Sequence, residues 1–392
     1  MNDRSWVGVW SASPQPIWEQ DFIFPTKIPA QAHDQTVRQV VRVSLGGSQV
    51  RVIFSNEYGT TPLRIGAASM AMAGDGSAIV PDTMRPLTFG GEFATILPAG
   101  APLVSDPVDM DVGEAARLAV SLYLPDETPL TTFHWDGKQT AYIGPGDLTA
   151  HGIFSPTDTT DARVLLSGVR VNASNNGAVV VFGDSITDGA GVPLDADARW
   201  TDHLARRLAP QRVSVLNAGI SGARLLQDKM GVNASARFTR DVLAQPGVKT
   251  VILLLGINDI GWPGTAFARE QAKPSVGSLI SAYRQLIALA HAHNVRIVGA
   301  TLTPFEGALS ETPLDDYYHA DKDALRQEVN RWIRSGGAFD AIVDFDALLR
   351  DPAYPSRLAA RFDSGDHLHP GEQGNQAMAE GVDLDALLIG QP

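Results

Sequence analysis

The sequence predicts two domains of different class. A β-sandwich, jelly-roll-like, occupies residues 1–172, and a three-layer α/β/α domain of flavodoxin-like type occupies residues 173–392. Three observations carry this expectation. At 392 residues the chain exceeds one ordinary domain. Its first half is a series of short apolar runs broken by Gly and Pro turns, with no long helical period. From Ala178 onward, short apolar runs alternate with segments whose apolar residues recur every three and four positions.

Composition narrows the functional classes. Apolar residues make up 44% and charged residues 19%, which suits packed cores. The net charge of −13, without a Lys/Arg cluster, argues against a nucleic-acid partner. The absence of cysteine removes disulfides, thiolate catalysis and zinc–thiolate sites. No apolar run reaches the ~18 residues of a membrane span. Residues 1–5 carry no secretory apolar core. The compartment is left open: cytoplasmic if Met1 is native, secreted or periplasmic if a signal peptide has been removed. Oligomeric state is likewise not legible.

In the first half, residues 37–45 and 49–55 read as strands joined into a hairpin by Gly46-Gly47-Ser48. Residues 63–72 form a third strand. Leu118, Val120, Leu122 and Leu124 alternate with Ala119, Ser121 and Tyr123, and Pro125 ends the run. Residues 131–135, 139–143 and 163–171 complete the strand set. Trp6, Trp10, Trp18 and Trp135 could stack on sugars, but core packing is the more frequent use of Trp. Residues 155–177 contain two polar loops and carry the domain boundary.

In the second half, strands are expected at 178–182, 213–216, 250–255, 295–301 and 341–343. The clearest helix places Leu279, Ile280, Tyr283, Leu286, Ile287 and Ala290 on one face. Parallel strands bring their carboxyl ends to one edge, where open α/β sheets bind ligands. The segments that follow the strands are therefore informative. They read Gly183-Asp184-Ser185, Asn217-Ala218-Gly219-Ile220-Ser221-Gly222, Gly256-Ile257-Asn258-Asp259, Thr303-Pro304 and, after a helical stretch, Asp363-Ser364-Gly365-Asp366-His367-Leu368-His369-Pro370. Ser185 is at this stage equally a nucleophile and a helix cap. The set as a whole supplies a nucleophile, oxyanion donors, a base and an orienter, the inventory of acyl transfer. His291 and His293 lack the i, i+4 spacing of a helical metal site, and no metal or cofactor is expected. Position 187 is Thr, so the Gly-x-Ser-x-Gly elbow of the α/β-hydrolases is absent.

These blocks resemble the GDSL (SGNH) hydrolases, a family defined by Ser, Gly, Asn and His in four separated motifs. The resemblance covers about residues 178–385. The opening Trp-Val-Gly-Val-Trp-Ser-Ala-Ser is similar to two-domain bacterial members that carry a β-sandwich before the hydrolase domain. The resemblance implies a serine esterase working through an acyl-enzyme. It implies Ser185 as nucleophile, His369 as base and Asp366 as its orienter, with Asp363 as the fallback. It implies an oxyanion hole made by the Ser185 and Gly219 backbone N–H groups and the Asn258 amide. Asp184 and Asp259 would brace their turns. Asp188 and Trp262 are candidates for lining the substrate pocket. The expected substrate is a small-molecule or carbohydrate ester with a short acyl group, such as an acetyl or aryl ester. The alternatives are lysophospholipase, thioesterase or lactonase activity, or a carbohydrate-binding protein with an inactive hydrolase domain.

Overall fold

The computed structural model describes residues 4–19 and 22–388. Of residues 1–5, read above for a secretory apolar core, residues 1–3 lie outside the described residues. The chain forms two units. One comprises Met1–Asn175, Leu194–Asp197 and Ala209–Leu216; the other comprises Asn176–Pro193, Ala198–Leu208 and Asn217–Pro392.

The first unit contains two large antiparallel sheets and three smaller ones among the described residues. One sheet orders Ser5–Ser11, Leu166–Ala173, Gly47–Ser55 and Pro102–Val104, with Val108–Val112 also paired to Gly47–Ser55. The other orders Asp158–Thr160, Ala141–Pro145, Gln35–Arg42, Arg117–Leu124, Ala67–Met72 and Arg85–Pro86. This is the antiparallel arrangement expected of a β-sandwich.

The expected hairpin at residues 37–55 is corrected by this pairing. Gln35–Arg42 and Gly47–Ser55 belong to different sheets, so Gly46-Gly47 is a crossing between layers. A Cβ on Gly46 would stand 2.3 Å from the Val112 carbonyl oxygen, so the crossing needs glycine for close approach. The tryptophans are packed by neighbours. Phe24 stacks on Trp135 at 5.6 Å, and Lys27 Nζ lies 4.1 Å from the Trp135 ring. Trp18 is buried against Phe133, and Arg51 lies over Trp6 at 4.7 Å.

The second unit is built on a five-stranded sheet, of which residues 214–216 are counted with the first unit. Its strands are β1 (Ala178–Gly183), β2 (Ser214–Gly219), β3 (Val248–Leu254), β4 (Arg296–Ala300) and β5 (Ala341–Val343). The order is β2-β1-β3-β4-β5, and β1, β3, β4 and β5 pair in parallel. That order is flavodoxin-like and was not legible from sequence. Every residue of β1 is buried, which explains its unbroken Val-Val-Val-Phe run: a central parallel strand is covered on both faces.

The helices that matter for the site are α1 (Ser185–Asp188), α2 (Trp200–Leu208), α3 (Ala234–Phe238), α4 (Ile257–Gly261), α5 (Val276–Ala292) and α6 (Ala320–Ser335). The expected apolar stripe of α5 is buried at Leu279, Ala282, Tyr283, Leu286, Ile287 and Ala290. Ser275 caps this helix by accepting the Ser278 N–H at 3.0 Å. The chain leaves β1, adds β2 on one side, then crosses to β3 on the other. Ligands bind beyond the strand ends at such a switch point.

Candidate active site

The site begins where β1 stops. A Cβ on Gly183 would lie 2.1 Å from Thr187 Oγ1, so only glycine lets α1 fold back this tightly. Asp184 is extended and is the N-cap of α1: its Oδ1 accepts the Ile186 N–H at 3.0 Å. Gly189, at φ 112°, ends the helix. Because Asp184 caps the helix, the Ser185 hydroxyl is not engaged in capping. It lies 2.7 Å from His369 Nε2.

His369 comes from a loop closed by a bridge between Asp363 and Pro370. Asp366 Oδ2 pairs with His369 Nδ1 at 2.6 Å, while its Oδ1 accepts the Leu368 and His369 N–H groups at 3.0 and 2.8 Å. One carboxylate thus shapes the turn and orients the imidazole. Burial pushes the Asp366 carboxyl up, but the contacts to His369 and Leu368 outweigh it and hold it well below the usual range. The fallback orienter Asp363 is used elsewhere, on His367 Nδ1 at 2.5 Å. The neighbouring histidines therefore have separate partners.

Asn258 stands at the start of α4, just past β3. Its Nδ2 donates to the Ala223 carbonyl at 3.1 Å, and its Oδ1 accepts the Tyr317 hydroxyl at 2.8 Å. An amide NH2 has two hydrogens, so one remains for a substrate oxygen. Ser185, Asn258 and His369, read from three distant segments, fall within one unit at the β1/β3 edge.

The sequence profile described as GDSL-like lipase/acylhydrolase matches residues 179–382, more than half of the chain. The chain belongs to this family. It is a carboxylic ester hydrolase of the SGNH type. No curated protein matches the sequence. Solved structures similar to it include a GDSL-like lipase from Bacteroides thetaiotaomicron (16% identity, 54% of this chain and 88% of that one, TM-score 0.39). Others are an acetyl xylan esterase (20%, 52% and 96%, 0.38) and a catalytic mutant of an acetylxylan esterase from Geobacillus stearothermophilus (20%, 53% and 92%, 0.39).

Three assignments in this GDSL hydrolase need correction. The Gly219 N–H is not open toward a substrate, because it donates to Asn217 Oδ1 at 2.9 Å. Gly219 is a packing glycine: its Cβ would stand 2.4 Å from the Asp188 backbone nitrogen. Asp188 does not line a pocket. It is 1% exposed, and its Oδ2 accepts the Ser221 N–H and hydroxyl at 2.8 and 3.0 Å. Trp262 is also 1% exposed, packed on Phe267 at 4.6 Å with Arg224 over its ring at 4.6 Å. Its Cζ2 sits behind Gly222, 2.9 Å from where a Cβ would be.

Other residues bear on the GDSL site that the sequence did not single out. Gly222 has φ +76°, and its N–H has no partner among the described residues. It directly precedes Ala223, which Asn258 touches. Arg237, buried on α3, donates to the carbonyls of Gly183 and Ala218 at 2.9 and 2.8 Å and so ties the ends of β1 and β2 together. Asn375 holds the catalytic loop: it donates to the Pro370 carbonyl at 2.7 Å and accepts the Trp200 N–H at 2.9 Å.

Two bracing carboxylates behave as expected by position. Asp259 accepts the Leu225 and Leu226 N–H groups at 2.7 and 2.9 Å, and burial pushes its carboxyl up to about 6. Burial pushes Asp184 up to about 7. Gly222 had a findable signal, a second Gly in the block after β2; Arg237 and Asn375 had none.

Proposed function

We propose that this hydrolase cleaves short-chain carboxylic esters of a polar alcohol, such as acetyl esters of carbohydrate, through an acyl-enzyme on Ser185. The observation that carries the reading is the unbroken relay from Ser185 Oγ to His369 Nε2, at 2.7 Å, and from His369 Nδ1 to Asp366, at 2.6 Å. In acylation, Ser185 Oγ bonds to the ester carbonyl carbon and passes its proton to His369 Nε2. Asp366 stabilises the resulting imidazolium without taking a proton. The carbonyl oxygen becomes an oxyanion held by the Ser185 N–H, the Asn258 amide and the Gly222 N–H, the last replacing Gly219. Collapse breaks the bond to the alcohol, which leaves with the proton from His369. Water then repeats the sequence and releases the acid.

The preference for a polar alcohol rests on the exposed rim beside His369, formed by Ser364, Gly365 and His367. The short acyl group is the expectation the sequence raised, and chain length tests it directly. The first unit is proposed as an accessory domain over residues 1–172, with the hydrolase domain over 173–392.

Nitrophenyl esters of increasing chain length test the reading. Acetate is expected to turn over fastest, with a burst of one nitrophenol per enzyme if deacylation limits, and Ser185→Ala is expected to remove the burst. Equal rates in wild type and Ser185→Ala, or faster turnover of long-chain esters, would overturn it. A phosphonate adduct on Ser185 tests the donors: its oxygen should lie within about 3.1 Å of Asn258 Nδ2 and Gly222 N. Contact with Gly219 N in its place would reinstate that residue.

A further inference from the structure

Asn258 is held at both ends of its carboxamide, and the second contact is not explained by the fold alone. Its neighbours remove the ambiguity of an amide flip. The Ala223 carbonyl can only accept, so the atom facing it must be Nδ2. Oδ1 therefore faces Tyr317, whose hydroxyl must donate. Burial pushes the Tyr317 hydroxyl well above the ordinary tyrosine value, so it stays protonated as the bond requires.

Tyr317 is itself fixed. It ends the short 3₁₀ helix Asp315–Tyr317 and is fully enclosed. Its ring lies flush on the end of α4: a Cβ on Gly261 would stand 2.4 Å from the ring carbon Cζ. Phe305 meets it edge-on at 6.0 Å. Lys322, buried in the first turn of α6, donates to the Gly261 carbonyl at 2.7 Å, to the Tyr317 carbonyl at 3.3 Å and to the Asp316 carbonyl. One ammonium thus joins the last residue of α4 to the turn that carries Tyr317, and α4 is the helix that carries Asn258. Burial lowers Lys322 to about 8, so the tie is charged at neutral pH.

We propose that Tyr317 is the positioning residue for Asn258, holding its carboxamide in the one orientation that leaves an N–H for the substrate oxygen. Lys322 fastens Tyr317 to α4. The role rests on the reading of Asn258 as an oxyanion donor. Without the hydroxyl, the amide keeps only its Ala223 contact, and the donor is misaligned in the fraction of molecules that rotate away from it. The cost falls on the transition state and not on substrate binding, because the oxyanion exists only there.

The test is a double-mutant cycle with Tyr317→Phe and Asn258→Ala, measuring kcat and KM on nitrophenyl acetate and the melting temperature of each variant. Asn258→Ala is expected to lower kcat by ~10²–10³. Tyr317→Phe is expected to lower kcat by roughly tenfold, the scale of one hydrogen bond, with KM within about twofold. In the Asn258→Ala background, Tyr317→Phe should have no further effect on kcat. Equal losses in both backgrounds would mean a general packing effect and overturn the proposal. Wild-type kcat in Tyr317→Phe, beside a slow Asn258→Ala, would overturn the role of Tyr317 and leave the oxyanion reading standing. Wild-type kcat in Asn258→Ala would overturn both. If Tyr317→Phe does not fold, the Asn258 side-chain amide of the wild type decides by NMR. A slowly exchanging Tyr317 hydroxyl proton with a cross-peak to that amide is expected, and the absence of such a proton would overturn the pinning.

Discussion

Asp366 pairs with His369 and Asp184 caps the helix that begins at Ser185, and their environments drive the two carboxyls in opposite directions. Asp366 is held below the usual carboxylate range despite burial, so it stays ionised wherever the protein is folded and active. Only His369 then needs to lose a proton for the base to work. The acid limb of kcat/KM should therefore fall with a slope of one per pH unit, and a slope of two would show Asp366 titrating as well. Asp366→Asn should lower kcat by about 10⁴, since the imidazole loses both its orientation and its countercharge.

Asp184 is raised to about 7 by burial, so the native state binds more protons than the unfolded chain between pH ~4 and ~7. Its contribution to stability is present at the acid end and is lost as the pH rises through that window. Asp184→Asn keeps an acceptor for the Ile186 N–H but cannot ionise. It should match wild type near pH 4 and gain on it by up to a few kcal/mol above pH 7. Thermal melts across that range would show a widening gap, and a pH-independent difference would refute the argument.

At the scale of elements, the site is a set of strand ends drawn together, and Arg237 is the part that draws two of them. Replacing it with Met withdraws a donor from the carbonyls of Gly183 and Ala218 and from Asp241, which it meets at 3.0 Å. Arg237→Met should destabilise the unit by about 3–5 kcal/mol, read from denaturant unfolding, with kcat of the folded fraction reduced as Ser185 shifts.

The sequence allowed β1, the turn at Gly183-Asp184 and the period of α5 to be read, because each is a local pattern of apolarity or turn chemistry. It did not allow Arg237 to be read as a clamp. An arginine on a short helix reads as a surface residue until α3 is seen to carry it beneath two strand ends. Asp188 and Trp262 failed for the same reason. Nearness in sequence to Ser185 and Asn258 suggested a pocket wall, whereas packing turns both side chains into the interior.

For the molecule as a whole, the proposed mechanism calls on Ser185, His369 and Asp366 and on no metal ion. Among the described residues no group of three or more His, Cys, Asp or Glu is arranged to hold a metal ion, and no helix is long and apolar enough to cross a membrane. Ester hydrolysis is expected to be unchanged after exhaustive dialysis against EDTA; loss of rate restored by a divalent metal would contradict the mechanism.

What the amino-acid sequence determined by itself was the class of each half, the parallel α/β layering, and the three blocks that carry Ser185, Asn258 and the Asp366/His369 pair. These are encoded in local periodicity and in residue types that have few other uses at strand ends. Tertiary structure alone decided the rest. It put 35–42 and 47–55 in different sheets, set the order β2-β1-β3-β4-β5, and paired Asp366 with His369 but Asp363 with His367. It closed Gly219 and left the Gly222 N–H without a partner among the described residues. It also brought Tyr317 to Asn258 across 59 residues and His369 to Ser185 across 184. Local pattern states what a segment can form; which hydrogen-bonding groups meet depends on where the chain returns, and that is fixed by packing the whole core.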